Sequence, residues 1–375
     1  MHFPKHNFIP APSASARVGW LVYTFLIVYA SCYPFSDWHS IGLSPLAYLS
    51  APLPHYWTRF DVITNVIAYA PFGTLMVFAL YPKVRHAPAL ILALLAGALL
   101  SGVMEAAQTF LPNRVSSNLD LIANSAGVFI GAAAGVLLTR TFLEESHLLL
   151  LRRRWFSHEA GRGLIVVALW PLAQIYPQGY LFGHGQFAPI LSEWLSDWLA
   201  MPVDIGALLQ RGELLTVEQY WLSEAVITAC GVTGALLTLL SLLRERAPKM
   251  LPVMAVLAAA VAVKSLASAL QFSPDNAFAW MTPGAEGGLL LGLVMLSGLI
   301  FAPPVAQRRV AILTLLISLV IVNAAPTNPY FIATLQAWVQ GKFLNFNGAA
   351  QFLSLVWPIF TLWFLLHPVH RRGFT

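Results

Sequence analysis

Residues 88–111, PALILALLAGALLSGVMEAAQTFL, decide the fold class. The stretch is apolar and uncharged until Glu105, and a run of about 20 such residues lets a helix cross about 30 Å of hydrocarbon. A backbone in lipid must satisfy its own polar groups, which selects a helix over an extended segment. Further runs of this kind fall at 17–35, 61–81, 119–139, 163–178, 220–243, 250–271, 285–302, 309–325 and 349–366. The expected fold is therefore all-α, a polytopic transmembrane helical bundle of about ten spans.

Composition agrees. The 375 residues are 58% hydrophobic and 10% charged, with a mean hydropathy of +0.70. Soluble domains carry about 25% charged residues, so this chain lacks a water-facing surface. Of the 21 basic residues, only Arg59, Arg114, Arg211 and Lys342 fall on one side of alternating spans, and Lys264 falls inside a run. All the others gather on the opposite side, which predicts N-in/C-in topology. The net charge of +5 then reports orientation, and no nucleic-acid partner is expected. Cys32 and Cys230 lie in apolar runs and read as small core residues, not a disulfide.

Charged and amide side chains inside such spans are costly and so point to function. Asp61, Asn65 and Tyr69 share one face of the second span. Glu105 and Gln108 close the third, with Ser101 a turn below, and a loop bearing Arg114 and Ser117 leads to Asp120 and Asn124 in the fourth. With alternating spans, these three ends lie together near the extracytoplasmic face. Each residue alone also suits a helix cap or interhelical glue, Asp61, Ser117 and Asp120 as caps and Asn124 as glue. As a set they form a candidate ligand-binding site. Below them, Gly127, Gly131 and Gly135 form a small-xxx-small packing stripe.

Asn65-x-x-x-Tyr69-x-Pro71-Phe72-Gly73, Glu105-x-x-Gln108-x-Phe110-x-Pro112-x-Arg114 and Ser117-x-x-Asp120-x-x-x-Asn124-x-x-Gly127 resemble the VanZ-like membrane proteins, over about residues 20–140. The resemblance implies a bacterial cytoplasmic (inner) membrane protein with a cell-envelope role, since the namesake is associated with low-level teicoplanin resistance. It implies no particular reaction. Ser117 stands where many members carry an acidic residue, which weakens a metal or acid–base reading of that position.

A second polar cluster is expected around Lys264 in the seventh span, with Gln271 on its face and Glu224 and Glu286 as its natural partners. Echoes such as Glu105-x-x-Gln108-x-Phe110 against Ser268-x-x-Gln271-Phe272 suggest that spans 1–4 and 5–8 are parallel repeats. The expected organisation is a VanZ-like four-helix domain at 1–145 and a six-span region at 146–375, a divergent repeat with a terminal hairpin. In the long outer loop 179–219, Trp194 and Trp198 share a helical face suited to headgroup depth, and His184 reads as standing alone. H-E-x-x-H, P-loop, Cys/His-cluster and G-x-S-x-G patterns are absent, so no cofactor or metal is expected.

The leading functional expectation is an outer-leaflet site for a membrane lipid or lipid-linked glycan precursor. Arg114 would hold an anionic group, and the amides would hydrogen-bond the headgroup. The alternatives are an intramembrane enzyme, with Glu105 and Asp120 as acid and base, and a transporter or flippase.

Overall fold

The computed structural model describes residues 14–33, 35, 38–40, 42–112, 114–144, 151, 154–157, 160–209, 216–325 and 344–367. Of the 21 basic residues counted above, Lys5, Arg152, Arg153, Arg211, Lys342, Arg371 and Arg372 lie outside these. The described residues form helices, mostly α, and turns, with one isolated bridge between Phe156 and Leu243. The helices are α1 (Ala14–Cys32), α2 (Arg59–Leu80), α3 (His86–Gln108), α4 (Asn118–Thr139), α5 (Gly161–Ala173) and α6 (Ala188–Leu199). There follow α7 (Ile205–Leu209), α8 (Val217–Leu242), α9 (Met250–Gln271), α10 (Pro283–Leu299), α11 (Pro304–Ala324) and α12 (Leu344–Leu366).

Seven of them, α2, α3, α4, α8, α9, α11 and α12 from Gly348, are long and apolar enough to cross a membrane. Three more, α1 from Ala16, α5 and α10, are apolar but shorter. These helices fall on the ten apolar runs of the sequence. The chain is a multi-pass helical membrane protein. It divides into two compact units, Met1–Leu150 and Leu151–Thr375.

In unit 1, α2 starts at a capping box. Thr58 Oγ1 accepts from Asp61 N at 3.1 Å, and Asp61 Oδ2 accepts from Thr58 N at 3.2 Å, satisfying two first-turn donors. α4 then lies directly along α2, because Gly127, Gly131 and Gly135 put no side chain between the two backbones. A Cβ at Gly127 would strike the Val66 carbonyl, and one at Gly131 would strike that of Ala70. Thr74 Oγ1 uses the proximity to donate to Gly131 O at 2.7 Å. In lipid, where burying apolar surface offers little, such close backbone packing is what joins helices. α3 seats Gly97 against Val128, and α1 closes the group through Tyr23 Oη, which donates to Ala68 O at 2.8 Å.

In unit 2, α8 is the buried axis, with apolar and threonine side chains inward on every face. α10 lies on it through Gly288 and Gly292, set against the backbone of Ala225 and Ala229. α11 packs on it at Gly234, against Leu315. α5 packs with α9 and α12, and Trp357 Nε1 donates to Val166 O at 2.9 Å.

The span expected at 163–178 ends early as a helix, at Ala173, two residues after Pro171. Thirteen residues rise only about 20 Å, too short for a bilayer core. The chain continues as a buried, non-helical loop in which Tyr180, Leu181, Phe182 and His184 are shielded from solvent. Its backbone is satisfied from the surrounding helices. Thr228 Oγ1 donates to Leu181 O, Gly185 N donates to Ser354 O, and Asn323 Oδ1 accepts from the N–H groups of Phe187 and Ala188. Irregular backbone is tolerated in a membrane protein under that condition.

The following helix, α6, turns Ser192 and Ser196 inward, where they bind the backbone at Ala188 and Val203. Trp194 and Trp198 are exposed on it, as an interfacial helix requires. Cys32 and Cys230 are buried and free.

Candidate functional site

Three helix ends in unit 1 carry the polar residues, and side-chain hydrogen bonds knit them together. Asn65 Nδ2 on α2 donates to Asp120 Oδ1 on α4 at 2.9 Å. Glu105 on α3 is only 4% exposed, and its Oε2 accepts from Ser117 N at 2.7 Å. The α3–α4 turn is thereby fastened to α3 by a carboxylate. Ser117 Oγ in turn accepts from Leu119 N at 3.2 Å and Asp120 N at 3.4 Å, opening α4 in the manner of a helix cap.

One turn deeper, Asn124 Nδ2 donates to Ser101 Oγ at 2.9 Å, and the Tyr69 hydroxyl lies near the same serine. The other amide atom, Asn124 Oδ1, is buried and has no partner. An unpaired buried acceptor is costly, so a ligand donor there would be rewarded. Asp120 lies close enough to both Glu105 and Asp61 for their charges to interact. Asp61 is exposed and also serves the α2 cap.

Gln108 and Arg114 face a different neighbour. Gln108 Nε2 donates to Ser31 O at 3.1 Å, and an Arg114 guanidinium N–H donates to Tyr33 O at 3.3 Å. Both thus satisfy carbonyls at the C-terminal end of α1, where the helix dipole also favours a cation. Burial lowers the Arg114 pKa and the nearby Cys32 opposes this, but a guanidinium keeps its charge. The α1–α2 loop covers the group. Tyr48 Oη donates to Gly102 O at 3.1 Å, and Asn118 Nδ2 donates to Ala51 O at 2.6 Å. The loop's own Leu43, Leu46, Leu53 and Trp57 are exposed, as at a headgroup interface.

The second cluster is assembled differently from the expected Lys264–glutamate grouping. Glu224 is buried and accepts from Thr282 Oγ1, the N-cap of α10. Glu286 is exposed in the first turn of α10. Gln271 Nε2 donates to Ile175 O at 2.9 Å, just past the end of α5. Lys264 is 3% exposed, and its charge is felt by His184. Among the described residues no hydrogen bond or ion pair engages Lys264.

His184 does not stand alone. Its Nε2 is 2.7 Å from Gln174 Nε2, and its Nδ1 is 2.6 Å from Gln178 Nε2 and 3.3 Å from Ser354 Oγ. All four side chains are buried. Among the described residues no carboxylate meets the ring, and an uncompensated buried imidazolium is costly, so the ring is neutral. A neutral imidazole has one donor and one acceptor nitrogen, so one of the two amides must meet it with oxygen. The other amide's oxygen has no partner. The sequence signal for this network was Gln174 and Gln178 one helical turn apart in an apolar run, followed by His184 between two glycines. Among the described residues, no three His, Cys, Asp or Glu side chains are grouped to hold a metal ion.

Fold and site together define a helical multi-pass membrane protein whose first unit carries a polar cluster at the ends of three adjacent spans. Residues 20–139, the α1–α4 segment, match the VanZ/LLP1 family model, so unit 1 contains a VanZ-like domain. No curated protein and no solved structure matches the chain.

Proposed function

We propose that the protein sits in the bacterial inner membrane with both termini cytoplasmic, and that its unit 1 site recognises the headgroup of a membrane lipid or lipid-linked glycan precursor. The observation carrying this reading is the convergence of Asn65, Glu105, Asp120 and Asn124, with Asn124 Oδ1 buried and unpartnered. Acceptors dominate the group, so it suits hydroxyl or amine donors of a headgroup. Arg114, beside the end of α1, supplies the positive charge for a phosphate. A contribution to glycopeptide tolerance follows from sequestering such a precursor.

The test is native mass spectrometry of the full chain purified from bacterial membranes. Wild type retains a headgroup-bearing lipid, and Glu105→Gln and Arg114→Ala each weaken retention about tenfold or more, equivalent to losing one charge-assisted contact. Retention and teicoplanin tolerance unchanged in both variants would show the reading to be wrong. The closeness of Glu105 and Asp120 favours one rival, in which the pair acts as general acid and base on the same headgroup. Turnover of a lipid-linked substrate by wild type, abolished in Glu105→Gln, would favour that rival.

A further inference from the structure

Unit 2 repeats the construction of unit 1 at four places. Both second helices start at a threonine capping box, Thr58 with Asp61 in α2 and Thr216 with Gln219 in α8. Both fourth helices lie on the second through glycines four apart, Gly127 and Gly131 on Val66 and Ala70, Gly288 and Gly292 on Ala225 and Ala229. The residue before each contact, Asn65 or Glu224, hydrogen-bonds the start of the fourth helix, at Asp120 or Thr282. Both third helices end at a glutamine that donates to a carbonyl at the end of the first helix, Gln108 to Ser31 and Gln271 to Ile175.

This register sets Lys264, seven residues before Gln271, at the place of Ser101, seven before Gln108. It sets Ser268 at the place of Glu105, and Ala285 at that of Asn124. The polarity of the position is thereby reversed. Unit 1 offers carboxylates there, whereas unit 2 offers an ammonium. α9 also leans on α5, not on α10, and Gln271, seven residues on along the face of Lys264, reaches the Ile175 carbonyl, so Lys264 lies on the face of α9 toward α5. In the same unit, Ser265 Oγ, next along α9, and the amide oxygen of Gln174 or Gln178 beside His184 are buried without partners.

A buried ammonium without a counter-charge is costly, so it either sheds its proton or is held charged by an anion that reaches it. We infer that unit 2 holds a second binding site on the same plan, in which Lys264 anchors a phosphate-bearing anion whose hydroxyl groups donate to the unpartnered amide and serine oxygens. A polyol phosphate has that chemistry, either as a lipid headgroup or as a free ester. The inference does not depend on what unit 1 binds.

The test is the melting temperature of the full chain in dodecyl maltoside, titrated with dioctanoyl phosphatidylglycerol, dioctanoyl phosphatidylcholine and glycerol 3-phosphate. Wild type is expected to be stabilised by the phosphatidylglycerol and not by the phosphatidylcholine, whose headgroup is zwitterionic and lacks hydroxyls. Stabilisation by glycerol 3-phosphate as well assigns a free ester, and stabilisation by the lipid alone assigns a headgroup. Lys264→Met is expected to raise the half-saturating concentration about tenfold or more, and Lys264→Gln repeats the measurement if the methionine variant is not monodisperse. A wild type that responds equally to phosphatidylcholine, or variants that respond like wild type, would overturn the inference. Loss of the response in Glu105→Gln but not in Lys264→Met would overturn it too, by moving the binding to unit 1.

Discussion

Gly131→Ala is expected to destabilise unit 1 severely, by about 3 kcal/mol or more, because the new methyl group occupies the space of the Ala70 carbonyl oxygen on α2. A backbone atom cannot rotate away as a side chain can, so α2 and α4 must separate along their whole contact. Separation also breaks the Thr74–Gly131 hydrogen bond and pulls Asn65 from Asp120. The candidate site would then lose its geometry although no site residue was changed. Gly298→Ala, in the last turn of α10, is the control, since nothing lies within 4 Å of a Cβ there and alanine is tolerated in a helix better than glycine. Thermal unfolding of the purified chain in detergent separates the two: a large drop for Gly131→Ala, and no loss for Gly298→Ala. Equal melting temperatures would mean that the α2–α4 contact does not hold unit 1 together.

Asn323→Leu is expected to have the second largest effect, in unit 2. One side chain on α11 accepts from Phe187 N at 2.7 Å and Ala188 N at 2.8 Å, and donates to Gly185 O and Leu319 O at 2.8 Å. Leucine keeps the size and leaves backbone groups of the buried loop unpaired, each at about 1–3 kcal/mol, so a total on the order of 3 kcal/mol or more follows. The loop should open locally before the bundle unfolds. Hydrogen exchange would show faster exchange at Phe187 and Ala188, with α8 unchanged. Unaltered protection at those amides would mean that other contacts hold the loop.

The sites were legible in the sequence to different degrees, for a common reason. In unit 1 the polar residues recur at helical spacing within single spans, so Asp61, Asn65 and Tyr69, or Glu105 and Gln108, could be grouped by face before any packing was known. Their partners lie on neighbouring helices or turns, and no periodicity reports that. Asn65 with Asp120, Asn124 with Ser101, and Gln108 with the Ser31 carbonyl are joined only when the helices dock. Arg114, read as a charge among carboxylates, is turned toward the carbonyl end of α1. His184 shows the greatest distance from its reading. It sits in a loop by sequence, yet its partners Gln174, Gln178 and Ser354 come from the same loop region and from a helix 170 residues away.

By itself the sequence determined the number and placement of the apolar helices, because the length and polarity of each run are local quantities that the bilayer thickness converts into a span. It also determined the glycine stripe of α4 and the VanZ-like motif order. The tertiary structure alone decided which polar atoms meet. It decided that α5 stops short and passes into a buried loop, that Glu224 answers Thr282, and that Gln271 reaches the end of α5. Those outcomes depend on backbone approach and on hydrogen bonds between segments far apart in the chain. Their energies arise only once the segments are packed.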